Sequence, residues 1–396
     1  MIKTKTKCLI SVQGSISFIA AYIAYRWCEE KIWCNNSDVT LLIYDTCVPE
    51  ENEIPFKNSL EEIASIAVFH KIIYVSSSES NMISKRRYSE AKEKLRKIIG
   101  EESFDYLFLC NNFVTFLTEL IPNVYPKSIK VEYGDFFGIV GNNSVLEITY
   151  LDLLIHPIGF LKGYLKKQFY GHYHKSFPFD LAVLSMPLVG EANYLYNKIL
   201  IVPDKLFVKD IFFKFSVKLY RLSNYCESLL GNSERECKLY LLSNFFNSGL
   251  CTLENEVNLY EEIILQTAFP GDRIILKNHP RGSNIVLIQL KLKLEVVFDV
   301  QIITDNHFNF IPIELWLDLL NRSQVFPIYS SSGISLKYLC SKQVTLTLNC
   351  ERINKYIFFH KRQIVLQGNE MINVAINTLE YWDGKTPLWT KKGKNS

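Results

Sequence analysis

No run of about twenty apolar residues occurs in this 396-residue chain, so no membrane-spanning helix is expected. None of its ten cysteines forms a Cys-x-x-Cys pair, and several sit inside apolar runs such as Cys8-Leu9-Ile10, Leu109-Cys110 and Leu339-Cys340. A zinc site or a disulfide framework needs tighter spacing, so these thiols read as buried and free in a reducing cytoplasm. There is no Asp-x-Asp pair, and no evident third ligand accompanies His172 and His174. No metal is therefore expected, and those two histidines read as surface or acceptor-loop residues. A net charge of only +3 makes no case for a nucleic-acid partner. Internal repeats and low-complexity segments are absent too, which excludes a repeat array. Lys3, Lys5 and Lys7 precede an apolar stretch, as in a secretory signal. Ser11, Gln13, Gly14, Ser15 and Ser17 interrupt that stretch, however, and no clean cleavage site follows, so a cytoplasmic protein is expected.

What the chain does have is apolar mass. Hydrophobic residues make up 48% and aromatics 13%, with 26 Phe and 22 Tyr, which is ample for buried sheets and argues against disorder. The length suits two domains of ordinary size. Short apolar strands (7–12, 40–44, 71–75, 106–110, 129–133) alternate with a helix at 16–33 and helix-like segments at 60–69 and 88–99. A second alternating unit begins with a strand near 238–242. It continues through a helix at 253–265, a strand ending in His279, a strand-like stretch at 295–303, a strand at 324–329 and a helix start at 334–339. Strands separated by helical segments predict an α/β fold of two Rossmann-like domains facing a cleft. The expected division is an N-terminal domain over 1–235 with an irregular insert at about 140–235, a C-terminal domain over 236–365, and a tail at 366–396 crossing back toward the N-terminal domain. The basic run Lys85-Arg86-Arg87 with Lys92, Lys94, Arg96 and Lys97 reads as a solvated helix face. Residues 153–167 mix apolar and basic side chains and read either as core or as an interfacial segment on an anionic membrane.

Four short constellations carry the chemistry. Ile274-Ile275-Leu276-Lys277-Asn278-His279-Pro280-Arg281-Gly282 is an apolar strand that ends by delivering a lysine, an imidazole and a guanidinium to one turn. In parallel sheets ligands bind just outside such strand ends, and this trio suits an anion, most simply a phosphate. Ser330, Ser331, Ser332 and Gly333 sit at a strand-to-helix junction, where unpaired N–H groups and small hydroxyl residues admit an anion. Ordinary N-capping by serine accounts for the same residues. Between the two lies Ile311-Pro312-Ile313-Glu314, whose carboxylate can accept the hydroxyls of a ribose or simply favour a first helical turn. In the first half, Glu132-Tyr133-Gly134-Asp135 leaves a strand for a glycine-flanked loop. Asp135 there can take a proton from a hydroxyl nucleophile, or bond its own backbone as a turn aspartate.

In their order and domain placement these motifs resemble the bacterial sialyltransferases of GT-B architecture, including the capsule polysialyltransferase-like and lipo-oligosaccharide groups. The hallmarks matched are an acidic-Gly motif, a His-Pro motif and a Ser/Thr-rich motif. The resemblance covers mainly the motifs and implies a CMP-activated sugar donor. It implies Asp135 as the general base on the acceptor hydroxyl, and His279 binding the CMP phosphate and stabilising or protonating the leaving group. Ser330, Ser331, Ser332 and Gly333 would bind the same phosphate beside Pro280, Lys277 would lie near the cytosine, and Glu314 would bind the ribose. The usual Asp-Gly pair is here Asp135-Phe136-Phe137-Gly138, which keeps Glu132 open as an alternative base. A monophosphate leaving group needs one cationic or hydrogen-bonding cradle and no metal.

Three functions are compatible with the chain. One is transfer, with inversion and without a metal, of a sialic or related nonulosonic acid from a CMP-sugar to a hydroxyl of a capsule or lipo-oligosaccharide glycan. The enzyme would work in the cytoplasm, in peripheral contact with the inner membrane. A second is a GT-B transferase using another donor such as CMP-Kdo. The third is a non-catalytic scaffold of a polysaccharide assembly complex, which would not need the Asp135 and His279 pair.

Overall fold

The structure, a computed structural model, describes residues 5–33, 37–44, 48, 50–100, 102–110, 116–134, 179–187, 190–191, 199–231, 236–382 and 389–390. Its first strand, β1 (Thr6–Val12), is buried from Cys8 to Val12. A strand apolar on both faces fits a parallel sheet covered by helices. The chain continues through α1 (Ser15–Cys28), a π-helical turn at Glu29–Trp33, β2 (Ser37–Tyr44), α2 (Glu53–Ser65), β3 (Lys71–Val75), α3 (Ser77–Ser84) and α4 (Tyr88–Ile99). Then come β4 (Tyr106–Leu109), α5 (Phe116–Val124), β5 (Ile129–Glu132), β6 (Leu181–Val183), β7 (Gly190–Glu191) and β8 (Ile199–Ile201). Seven strands form one parallel sheet in the order β3-β2-β1-β4-β5-β6-β8. The reversal between β1 and β4 is the doubly wound Rossmann pattern. Aliphatic side chains of β2, β4, α4 and α5, such as Leu42, Leu107, Leu95 and Leu120, fill one side of this sheet.

By contacts the chain divides into two units, one of Met1–Glu50, Ala67–Pro203 and Pro387–Ser396, the other of Glu51–Ile66 and Asp204–Thr386. The division at Pro203/Asp204 lies ahead of the expected 235/236 position. Its cause is α6 (Lys205–Lys218) and α7 (Tyr220–Leu230), which bury Val208, Ile211, Phe212, Phe215 and Leu222. Both are tied to the second unit: Ser216 Oγ donates to the Leu315 carbonyl (2.6 Å) and Ser223 Oγ to Asp318 (2.6 Å). The helix expected at 60–69 runs instead over Glu53–Ser65 and belongs to the second unit, where Phe56 packs edge-on against Phe310 at 5.3 Å.

The second unit repeats the winding of the first. It contains β9 (Cys237–Leu241), α8 (Leu253–Thr267), β10 (Arg273–Lys277), α9 (Asn284–Leu294), β11 (Asp299–Ile302), α10 (Asn306–Asn309), a 3-10 turn at Ile313–Leu315 and α11 (Leu317–Asn321). It closes with β12 (Ser323–Pro327), α12 (Ser332–Cys340), α13 (Cys350–Tyr356) and α14 (Arg362–Glu380). Its sheet is parallel in the order β11-β10-β9-β12, with the reversal between β9 and β12. The strand expected at 295–303 is only Asp299–Ile302. Residues 295–298 close α9 instead, with Glu295 N–H on Lys291 O and Phe298 N–H on Leu294 O. Much of the segment expected as a C-terminal tail is α14, packed on α12 and α13. A short parallel ladder pairs β7 with β13 (Trp389–Thr390). Two Rossmann-like units in one chain are the building blocks of the GT-B architecture. Among the described residues no helix is long and apolar enough to cross a membrane, and six of the eight free cysteines are buried.

One buried carboxyl organises the loop that follows β9. Glu256 of α8 is 1% exposed and accepts the backbone N–H groups of Phe245 (3.1 Å) and Phe246 (2.7 Å) and the Tyr260 hydroxyl (2.7 Å). Three donors at one buried acceptor replace the water it has lost. Glu256→Gln puts an NH₂ group where acceptor capacity is needed, leaving a buried donor without an acceptor. It is expected to destabilise the protein by about 1–3 kcal/mol, read as a lower urea midpoint with unchanged slope.

Candidate active site

Because all strands of the second sheet run parallel, the loops after β9, β10 and β12 leave from one edge, and β10 and β12 flank β9. The loop after β9 joins the other two. Asn247 Oδ1 accepts the Ser283 N–H (2.9 Å) in the turn after β10, and Phe245 meets the Tyr329 ring after β12 at 5.3 Å. The basic turn and the serine corner thus sit on one sheet edge, on either side of the switch point.

The basic turn is built by Asn278, which is 3% exposed. Its Oδ1 accepts the His279 N–H (3.0 Å) and its Nδ2 donates to the Ser283 carbonyl (3.1 Å). Gly282 N–H closes the turn on the His279 carbonyl at 2.7 Å. A Cβ on Gly282 would lie 2.3 Å from Asn278 Oδ1, so only glycine leaves room for the clamp. Pro280 occupies the second position of that turn, where its fixed φ is preformed. Within it, His279 Nδ1 accepts the Arg281 N–H at 3.1 Å, which fixes the proton of a neutral ring on Nε2. Burial pushes the imidazole down to about 4, and the Arg281 and Lys277 cations push the same way. His279 therefore offers a neutral Nε2–H donor.

Lys277 ends β10 and is 5% exposed. Its ammonium donates to the carbonyl (2.7 Å) and Oδ1 (3.2 Å) of Asn309 and lies over the Trp316 ring, 5.5 Å from the centroid. Burial pushes it down to about 7, opposed by the negative charge of Glu314. Glu314 is 3% exposed and stands in a 3-10 turn rather than at an α-helix start. It accepts the Ser335 hydroxyl of α12, and burial raises its carboxyl, with Ser335 and Lys277 holding it down. Lys277 and Glu314 thus lie beneath the loops, while His279 and Ser330–Ser332 are partly exposed.

At the serine corner Tyr329 adopts a left-handed φ of 52° and turns the chain into α12. Gly333 N–H bonds Ser330 O at 3.1 Å, Ile334 N–H bonds Ser331 O at 2.9 Å and Ser330 Oγ accepts the Ser332 N–H at 3.4 Å, while Ser331 at the N-cap position makes no side-chain cap. Gly333 itself is buried against Pro327 and Ile376. Asn278, Asn247, Asn309 and Ser335 hold this site together, and the sequence reading gave them no role. The one signal available was an asparagine at a strand end, four residues ahead of a glycine.

In the first unit Glu132 closes β5, 0% exposed, with Leu109 and Ala182 as its sheet neighbours. Gly134 follows with φ 58°, a left-handed turn out of the strand. Asp135 lies outside the described residues, as do His172, His174 and the 153–167 segment.

Two doubly wound units with a basic turn and a serine corner on one strand edge define the fold class, and the family defines the activity, that of a glycosyltransferase. A family model for alpha-2,8-polysialyltransferase matches residues 148–348, just over half of the chain, and the chain belongs to that family. It is a sialyltransferase-family enzyme. No curated protein matches it. Among solved structures, E. coli heptosyltransferase WaaC with ADP is similar at 12% identity over 86% of this chain and 87% of that one, with a TM-score of 0.39. A glycosyl transferase family 9 protein from Veillonella parvula shows 9% identity over 95% and 99%, with a TM-score of 0.39. A UDP-N-acetylglucosamine 2-epimerase shows 12% identity over 97% and 93%, with a TM-score of 0.41.

The state of His279 is directly testable. Its value in the fold lies below its ordinary 6.5, so the unfolded chain takes up this proton first. Its contribution to stability is then lost as pH falls from about 6.5 toward 4. By NMR the His279 Cε1–H signal is expected to stay flat from about pH 5.5 to 8. Asn278→Ala, which frees the turn, is expected to move its titration up toward the ordinary value. A wild-type midpoint above 6 would contradict the neutral-donor assignment.

Proposed function

We propose that the protein transfers a sialic or related nonulosonic acid from a CMP-sugar to a glycan hydroxyl, with inversion and without a metal. The observation that carries this reading is the pairing, on one sheet edge, of a tautomer-locked imidazole with an uncapped helix N-terminus of small hydroxyl residues. A nucleoside monophosphate meets N–H and O–H donors there. In the proposed reaction the acceptor oxygen attacks the anomeric carbon while the bond to the CMP phosphate breaks. Asp135, on the loop after β5, removes the hydroxyl proton. His279 Nε2–H and the donors of Ser330–Ser332 take up the charge appearing on the phosphate, with Pro280 and Gly333 shaping their approach. Lys277 and Glu314 act from below in this reading. They set the potential and position of the cradle, and the base and ribose contacts of the nucleotide fall above them. The buried position of Glu132 favours Asp135 as the base.

CMP is expected to raise the melting temperature, with UDP and GDP weaker; saturation at 100 Kd corresponds to about 2.7 kcal/mol. In transfer assays with CMP-sialic acid and a panel of labelled glycans, Asp135→Asn should lower turnover by about 10²–10⁴ with CMP affinity unchanged. His279→Ala should lower both. Most activity should survive excess EDTA. Loss of transfer in Glu132→Gln but not Asp135→Asn would overturn the base, and rescue of an EDTA-killed enzyme by Mg²⁺ or Mn²⁺ would overturn the metal-free chemistry. Absence of any shift with CMP would remove the donor.

A glycan acceptor and peripheral contact with the inner, cytoplasmic face of a membrane complete the proposal. Leu206, Phe213 and Val217 on α6 and Tyr220 at the start of α7 are exposed, interleaved with exposed Lys214, Lys218 and Arg221. An apolar row edged by cations suits an anionic bilayer surface. Co-sedimentation is expected with phosphatidylglycerol vesicles and not with phosphatidylcholine alone, and the double variant Phe213→Ser, Lys214→Gln should weaken it. Equal binding to both vesicle types would contradict a charge-assisted contact.

A further inference from the structure

Helix α14 has two working faces. One is apolar, with Val365, Ile372, Ala375 and Ile376 buried, Ile376 against Gly333 and the helix backbone at Gly368 against the Tyr329 hydroxyl. It props the serine corner from behind. The other face lines a groove of about 620 Å³ together with Leu348, Asn349 and Cys350. Gln363, Gln367, Glu370, Asn373 and Asn377 line it at intervals of three or four residues, a stripe fourteen residue steps long. At a rise of 1.5 Å per residue that is about 21 Å of helix, far more than one sugar ring.

The lining is chemically distinctive. Six of its residues carry side-chain amides (Asn349 and Asn369 with four from the stripe), Glu370 is its only charged group, and Leu348, Leu366 and Val374 supply apolar patches. Two of the amides are occupied by the wall itself: Asn349 Oδ1 accepts the Arg352 N–H (2.9 Å) and Asn369 Nδ2 donates to the Leu348 carbonyl (3.1 Å). Asn373 Oδ1, by contrast, is buried without a hydrogen-bond partner. That atom is shielded from solvent as it stands, but with no protein hydrogen bond on Oδ1 to break, rotation of the side chain brings the Asn373 amide to a ligand in the groove. Each amide presents a donor and an acceptor side by side, as each hydroxyl of a sugar does, and the apolar patches suit the C–H faces of sugar rings. With a carboxylate and no cation in its lining, the groove disfavours a polyanion.

We propose that the α14 groove binds a neutral oligosaccharide, through amide-to-hydroxyl hydrogen bonds along Gln363, Gln367, Asn373 and Asn377. It goes beyond the transfer reaction and does not depend on the identity of the donor. The test is calorimetric titration of the full chain with maltohexaose, tetra-N-acetylchitotetraose and an α2,8-linked sialic acid oligomer. At least one neutral oligosaccharide is expected to bind, and the sialic acid oligomer should not displace it. The triple variant Gln363→Ala, Gln367→Ala, Asn377→Ala changes only exposed positions and should lower that affinity by about tenfold or more, with CMP binding and melting temperature unchanged. Failure of both neutral probes to bind at about 10 mM would overturn the site. So would wild-type affinity in the triple variant, or displacement of the neutral probe by the sialic acid oligomer.

Discussion

The ammonium of Lys277, taken out of water at the end of β10, is the constraint around which the edge of the second sheet is arranged. A buried cation is tolerated only where acceptors replace its hydration. Asn309 supplies two of them, and the face of Trp316 adds a third favourable contact. Meeting those needs fixes residues 309–316 over the strand end and sets Glu314 in a buried turn. Glu314 in turn holds Ser335 of α12, whose hydroxyl oxygen lies 3.0 Å from the Ser332 carbonyl. One charge at the end of one strand is thereby linked to the helix start at the serine corner, with no direct contact required.

That arrangement governs the electrostatics of His279. Two cations, Arg281 and Lys277, disfavour a third on the imidazole, so the resting ring is neutral. The hydrogen bond from Arg281 N–H to Nδ1 agrees with this, since a doubly protonated ring would lose it. In the proposed reaction such a ring acts by hydrogen bonding rather than by giving up a proton, and a phosphate bound there would oppose both cations, coupling its binding to the proton affinity of the ring by ordinary linkage.

The winding of both units was legible because strands such as β3 and β10 announce themselves as short aliphatic runs between polar turns. The placement of the His279 turn and the serine corner at strand ends was legible because each follows a short apolar run directly. The domain boundary was not: α6 and α7 fall in the stretch expected as an irregular insert of the first domain, and only the packing of Phe212, Phe215 and Leu222 assigns them to the second unit. Nor was the burial of Lys277 and Glu314, which depends on Asn309, Trp316 and Ser335 closing over them from other segments. A helix expected at 60–69 belongs to the far half of the sequence, a long-range placement that periodicity cannot report.

The two units repeat one topology yet offer opposite chemistry at their strand ends. After β1 the chain presents Gln13, Gly14 and Ser15, and Gln13 is engaged with Thr118 at 3.3 Å, a neutral and internally bonded edge. After β5 the sequence carries two carboxylates, Glu132 buried in the strand and Asp135 beyond it, neither of which offers a donor to an anion. The second unit reverses each of these: an imidazole N–H, a guanidinium, a buried ammonium and an uncapped helix start meet at one edge, with its one carboxylate covered. Fold alone would allow either unit to hold the nucleotide; the cationic and N–H groups at the edge of the second unit are what the proposed donor site rests on.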